Sequence, residues 1–224
     1  MSKRVLILVE GQTEERFVKD VLAEHFQRLN CYIAPTLLVT KHVKDGPRFK
    51  GGVTNFARFE NDLDRLLHGS GDAWITTMVD YYRLPSDFPG MATRALCRTP
   101  RERVEHVEDE IQRHFRNPRN LRIFLALHEF EAWLFSSAEE LPRVLTEPEK
   151  QPAFAAIRNE AGTPEEINER PGYAPSERIE SLFPAYRKTL HGPTTAARIG
   201  LDRIRRECPH FHAWIAQIED FARG

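Results

Sequence analysis

The run Val5-Leu6-Ile7-Leu8-Val9 restricts the fold of this chain more than any other feature. A strand built from consecutive aliphatic residues has no polar face and must be covered on both sides, as a central strand of a parallel sheet is. Glu10-Gly11-Gln12 ends the run, Thr13 can cap a helix, and Glu14 and Glu15 put negative charge where a helix N-terminus favours it. Phe17, Val18, Val21, Leu22, Phe26 and Leu29 then recur at helical spacing, which predicts an amphipathic helix from Glu14 to about Leu29.

The alternation continues downstream. Tyr32 to Val39 has strand composition, with Pro35 pointing to an edge or a bend. Asn55 to His68 carries Phe56, Phe59, Leu63, Leu66 and Leu67 on one helical face and stops at Gly69. Ala73 to Val79 reads as a strand. Thr99-Pro100-Arg101-Glu102 is a capping box that opens a helix to about Phe115, and Leu121 to Leu127 is a fourth strand. Strands and helices in this order predict an α/β fold with a mostly parallel sheet flanked by helices.

Beyond about Ser136 the strand pattern disappears. Capping signals at Ser137/Glu140, Thr146/Glu149 and Thr163/Glu166, with frequent prolines, predict short helices, the last from about Thr194 to Glu207 and from Pro209 to Phe221. Residues 1–135 are therefore read as the α/β core and 136–224 as a helical C-terminal extension packed on it. At 224 residues the chain has room for one large domain or one domain with an appendage.

Composition narrows the function classes. With 41% hydrophobic and 29% charged residues the chain is an ordinary globular protein, and a net charge of -1 excludes a surface that is basic all round. Three widely spaced cysteines predict a reduced, cytoplasmic setting. No apolar stretch approaches the roughly 20 residues of a membrane-spanning helix, and the apolar run at the start is too short for a signal peptide, so no membrane partner is expected. Gly46 to Gly52 lacks the ending of a P-loop, and Cys208-Pro209-His210-Phe211-His212 lacks a nearby fourth ligand for zinc.

Glu10, Asp80 and Glu129 each fall just past the end of a predicted strand. In an open parallel sheet these ends converge on one edge, where ligands bind. Three carboxylates gathered there repel one another unless one keeps its proton or a cation sits among them. Oxygen ligands without His or Cys suit Mg²⁺ or Mn²⁺, ions that serve phosphoryl chemistry. Glu14, one turn from Glu10, is either a fourth ligand or a complement to the helix dipole. Glu131 is the alternative to Glu129, because residues two apart on a helix point away from each other.

Two segments offer cations for a phosphodiester backbone. One is the basic loop with Lys41, His42, Lys44, Arg48 and Lys50; the other runs from Arg178 to Arg206 and includes Arg187 and Lys188. Either set also reads as a solvated face. His128, beside Glu129, is a candidate general base or a structural histidine.

These residues carry a resemblance. Val9-Glu10-Gly11-Gln12-Thr13-Glu14 resembles the acidic entry motif of the Toprim domain of primases, topoisomerases and overcoming-lysogenization-defect nucleases, and Asp80 matches the first acid of that family's Asp-x-Asp motif. The entry motif, the segment Val79 to Gly90 and the segment Leu127 to Phe135 resemble stand-alone bacterial Toprim-like proteins, and the similarity extends to Tyr186, Lys188, Gly192 and Cys208-Pro209. The resemblance implies a Toprim-like core and a metal-dependent nuclease acting on DNA or RNA. Glu10, Asp80 and Glu129 would hold Mg²⁺ or Mn²⁺, and Lys188 or Arg178 would steady developing charge. It also implies an ATPase partner of the AAA or ABC class in antiphage defence or DNA maintenance. Tyr82 stands where the second acid of Asp-x-Asp belongs. That departure leaves a second reading open, a catalytically silent Toprim-like module that binds nucleic acid or an ATPase.

Overall fold

The computed structural model describes residues 3–38, 53–82, 84–167 and 173–224. Strand β1 (Lys3–Val9) leads through Glu10 and Gly11 into α1 (Gln12–Phe17), a π-helical turn (Val18–Leu22) and α2 (Ala23–Gln27). These three pieces form one helix with Phe17, Val18, Leu22 and Phe26 buried, as the helical spacing predicts. β2 (Cys31–Leu37) follows, then α3 (Phe56–Gly69), whose first turn is capped by Asn55 Oδ1 accepting from the Arg58 amide at 3.0 Å. β3 (Trp74–Asp80) precedes α4 (Pro100–His114), which opens on the expected Thr99/Glu102 capping box.

The strand order is β2-β1-β3-β4 and every pairing is parallel. The unbroken aliphatic run is thus at the centre, and Pro35 sits on the edge strand, where its missing amide costs no internal ladder bond. The fourth strand differs from the expected continuous 121–127. It is split into β4 (Leu121–Arg122) and β5 (Leu125–Ala126), both beside β3. Side chains take over the ladder in between: the amides of Ile123, Phe124 and Leu125 donate to Gln112 Oε1 at 3.0 Å, Thr77 Oγ1 at 2.9 Å and Glu108 Oε1 at 2.7 Å. A polar partner for each buried amide allows the strand to leave its regular path there.

After a 3₁₀ segment at Phe130–Ser136, the rest of the described chain is helical, comprising α5 (Glu140–Val144), α6 (Gln151–Asn159), α7 (Pro175–Leu182), α8 (Lys188–Ile199), α9 (Leu201–Glu207) and α10 (Pro209–Arg223). The helix expected over 194–207 is divided by Gly200, whose φ of +81° ends α8. That helix also begins earlier than expected, at Lys188, with Pro193 inside it. Proline offers no amide to the Thr189 carbonyl four residues back; Arg16 Nη1 donates to that carbonyl instead, at 3.0 Å.

The helices after Ser136 do not form a separate core. Val5, Ile7 and Val9 of β1 share one apolar cluster with Phe130, Trp133, Phe211 and Trp214, while Leu8, Ile75 and Val79 pack on the opposite side with Phe59, Leu63, Val104 and Val107. Trp214 fastens the extension to the sheet. Its ring stacks on Phe124 with centroids 4.3 Å apart, and its Nε1 donates to Thr76 Oγ1 at 2.9 Å. No helix among the described residues is long and apolar enough to cross a membrane. Trp214→Ala should lower unfolding stability by about 3–5 kcal/mol in denaturant titrations, the usual cost of removing a large buried aromatic. A loss below about 1 kcal/mol would show that the extension is not fastened there.

Candidate active site at the carboxyl ends of the strands

Parallel strands deliver Glu10, Asp80 and Glu129 to the same edge of the sheet, and each is tied there by a backbone amide from another segment. Glu10 Oε2 accepts from the Asp80 amide at 3.0 Å, so the end of β1 is fixed against the end of β3. Asp80 Oδ1 accepts from the Phe130 amide at 2.9 Å. Glu129 Oε2 accepts from the Ser176 amide at 3.0 Å, in the first turn of α7, where negative charge is favoured. A sharp turn precedes Glu129: His128 has φ +68°, and its carbonyl accepts from the Tyr82 amide at 2.7 Å. A left-handed backbone at a residue other than glycine is held only by surrounding structure.

Lys188, the first residue of α8, enters this cluster. Its Nζ lies 2.9 Å from Glu131 Oε2 and 3.6 Å from Asp80 Oδ2. Glu131 is fully buried, and its Oε1 accepts from the Tyr186 hydroxyl at 3.2 Å. Of the two acids that the sequence leaves as alternatives, Glu131 holds the lysine and Glu129 lines the cleft. Glu14, only 4% exposed, faces the same space from α1. The cleft has a volume of about 810 Å³ and is lined by Glu10, Glu14, Asp80, Tyr82, Glu129 and Lys188 among others.

Five carboxyl groups therefore crowd around one ammonium, and their protons respond. Burial, then the neighbouring Asp80, push Glu10 from 4.5 up to about 8. Burial and the charge of Glu10 raise Glu14 to about 7. Asp80 is raised well above the usual range, first by burial, although Lys188 pulls the other way. Glu131 is raised by burial against the same lysine. Burial disfavours the Lys188 ammonium, yet Asp80, Glu131 and Glu129 more than compensate and hold it charged. Burial and nearby Arg103 lower His128 to about 4, so its imidazole is neutral at pH 7, and its buried Nε2 has no hydrogen-bond partner among the described residues.

Among the described residues, no three His, Cys, Asp or Glu side chains already stand as the ligand set of one ion. The chemistry of the donor set nonetheless fits a hard divalent cation. The donors are all oxygens, and among the described residues their buried excess of negative charge is relieved by Lys188 and by retained protons.

The expected basic surface is distributed differently. Lys41, Lys44, Arg48 and Lys50 lie outside the described residues. Arg178 is held by Glu160 at 2.6 Å with its guanidinium 4.8 Å from the Tyr173 ring centroid. Arg187 is exposed next to Lys188. Cys208, His210 and His212 diverge: they meet Ser136 at 3.4 Å, Glu108 at 2.9 Å and Arg205 at 3.4 Å. The Ser176 amide was not foreseen as a partner of Glu129, although Pro175 and Glu177 mark a helix start in the sequence.

A family model described as "Domain of unknown function (DUF4276)" matches residues 9–219. The chain belongs to this family. Neither the curated proteins nor the solved structures contain a match. The matched span starts one residue before Glu10 and ends in α10, so β2 to β5, the acidic cleft and nearly all of the helical extension lie within it, while β1 precedes it except for Val9.

Because Glu10 and Glu14 bind their protons more tightly folded than unfolded, the folded chain carries more protons between about pH 4.5 and 8. Stability falls with rising pH wherever that holds. In chelator, the melting temperature should therefore drop from pH 5 to pH 8, and Glu10→Gln should flatten the drop. A flat wild-type profile would refute this charge balance.

Proposed function

We propose that this chain is a metal-dependent phosphodiesterase of Toprim type that cuts DNA or RNA, with Mg²⁺ or Mn²⁺ as its cofactor. The observation that carries this reading is the cleft in which Glu10, Glu14, Asp80 and Glu129 gather around Lys188, itself held from behind by the buried Glu131, at the carboxyl edge of a parallel sheet. A binding site built only for an anionic backbone would not bury an excess of carboxyl groups, because they repel phosphate. Glu10, Asp80 and Glu129 would hold the ion, with Glu14 as a fourth ligand, and all four line the same cleft. Such an ion supplies polarisation of a phosphate oxygen and a more acidic water.

The chain's own groups divide the remaining work. Lys188 is kept charged by its carboxylate neighbours and offers its ammonium to a phosphate oxygen. Glu131 fixes that ammonium while Tyr186 occupies the other oxygen of Glu131, so the lysine is aimed without being fully neutralised. Arg187, exposed beside it, offers a further contact to the backbone. The resemblance adds a partner to this reading, an AAA- or ABC-class ATPase that controls the activity in antiphage defence.

Two observations favour the second reading, that the module is catalytically silent: Tyr82 lines the cleft where the resemblance calls for an acid, and Lys188 already pairs with Asp80. Purified protein with Mn²⁺ and labelled DNA or RNA separates the two. Glu10→Gln and Asp80→Asn should each reduce cleavage by about 100-fold or more while retaining the wild-type circular dichroism, since several kcal/mol of charge stabilisation leave with the ion. Equal cutting by wild type and both variants would end the proposal. Absence of both cutting and Mn²⁺ binding in calorimetry would establish the silent module.

A further inference from the structure

Several arginines of the helical extension are paired with carboxylates: Arg158 with Glu207 at 3.0 Å, Arg198 with Glu140 at 2.8 Å, and Arg205 with Glu219 at 2.6 Å. A different stretch keeps two of its cations, Arg94 and Arg98, without a carboxylate contact among the described residues, while Arg101 pairs with Glu105 at 2.7 Å. Between Met91 and Arg103 the chain carries Arg94, Arg98, Arg101 and Arg103 against the single acid Glu102. The carboxylate of Glu102 is itself used locally, accepting from the amides of Arg98 at 2.8 Å and Thr99 at 3.1 Å. Arg94 donates to the Met91 sulfur at 2.8 Å and lies 5.7 Å from the centroid of the Tyr81 ring. Neither contact cancels a positive charge. Arg98 is exposed.

This connection joins β3 to α4, so it lies at the same sheet edge as the acids. Tyr81, under Arg94, follows Asp80 directly; His128, which feels the charge of Arg103, directly precedes Glu129. Tyr82 and Leu84, at the start of the connection, line the cleft itself. The stretch is also held firmly. Gly90 has φ +83°, and an added Cβ would stand 3.0 Å from Val107 Cα, so the chain lies flush on α4. Thr93 Oγ1 meets His106 Nε2 at 2.7 Å, and Arg103 Nε and Nη2 donate to the carbonyls of Cys97 at 3.3 Å and Arg98 at 3.2 Å. Cations on an ordered platform pay less entropy on binding than cations on a free loop.

We infer that the β3–α4 connection, through Arg94 and Arg98, is the surface that grips the nucleic-acid phosphate backbone flanking the cleft. The inference rests on the proposed function and gives its substrate a path, from the acidic cleft with Lys188 across Tyr82 to the arginine platform. The chemistry recognised is the phosphodiester chain common to DNA and RNA, since cations on a platform read charge and spacing without reading bases.

The test is fluorescence anisotropy of the full-length chain with labelled 20-base-pair DNA, 20-nucleotide single-stranded DNA and an RNA hairpin, in chelator, over a range of salt. Arg94→Gln/Arg98→Gln should weaken binding about tenfold and make the slope of log affinity against log salt shallower by roughly 0.9 per arginine on duplex or 0.7 on single strands. Arg143→Gln/Arg198→Gln removes as many charges from arginines held by Glu140 and should leave the slope unchanged. Should the double variant fold poorly by circular dichroism, the exposed Arg98→Gln alone should show about half the change in slope. Wild-type binding with an unaltered slope in these variants overturns the inference and leaves the proposed function standing. No binding by wild type to any of the three probes overturns both.

Discussion

The charge balance at the carboxyl edge of the sheet governs the rest of this structure. Carboxyl groups from the residue after β1, α1, the end of β3 and the segment after β5 are packed where water shields them poorly, with Lys188 as their close cation. Burial alone would drive such acids neutral, and Glu10 and Glu14 do move toward that state. A fold selected for stability alone would replace these side chains with apolar ones of similar size, because buried ion pairs seldom repay their desolvation. Their presence together at the strand ends is what supports the proposed reading of this edge as a site.

The helical extension makes sense in those terms. It brings Lys188 to the cluster, and several unrelated contacts fix where that lysine sits. The break in hydrogen bonding at Pro193 lets Arg16 of α1 reach the Thr189 carbonyl, which binds α8 to the helix that carries Glu14. One turn into α8, Gly192 permits a close approach: a Cβ there would stand 3.1 Å from the Tyr186 hydroxyl, 3.3 Å from Phe130 and 3.5 Å from Thr13. Three segments of the site thus meet at a position with no side chain. Ser176, on α7, adds a backbone amide to Glu129. The extension and the sheet therefore form one electrostatic unit as well as one core.

What could be read from the sequence follows from which forces are local. Val5 to Val9, the Thr99/Glu102 capping box and the spacing of Phe56, Phe59 and Leu63 are patterns over a few residues, and each formed the expected element. The parallel sheet followed from their order. The convergence of Glu10, Asp80 and Glu129 on one edge followed in turn, since strand ends in such a sheet have nowhere else to go. The interruption at residues 123–124 was not legible, because it depends on Gln112, Thr77 and Glu108 arriving from elsewhere in the chain to satisfy the backbone. The fate of the arginines was hidden for the same reason. Arg178 and Arg198 look free in sequence but meet Glu160 and Glu140 only in the folded chain.

Lys188 also bears on whether the cleft is active or silent. The ammonium lies nearer to Glu131 than to Asp80, at 2.9 Å against 3.6 Å, and Glu131 has no exposure to exchange it for water. Its strong anchor is thus an acid that does not line the cleft, while its weaker contact is with one that does. An arriving cation that competes for Asp80 would displace the looser of the two contacts and leave the lysine in place on Glu131. Asp80 would then be released to oxygen-ligand chemistry at little cost, and the ammonium would remain beside it with one face turned to the cleft. The shorter contact goes to the acid with no exposure, so Glu131 is the carboxylate that the lysine neutralises, and the longer contact with Asp80 is the one left open to competition.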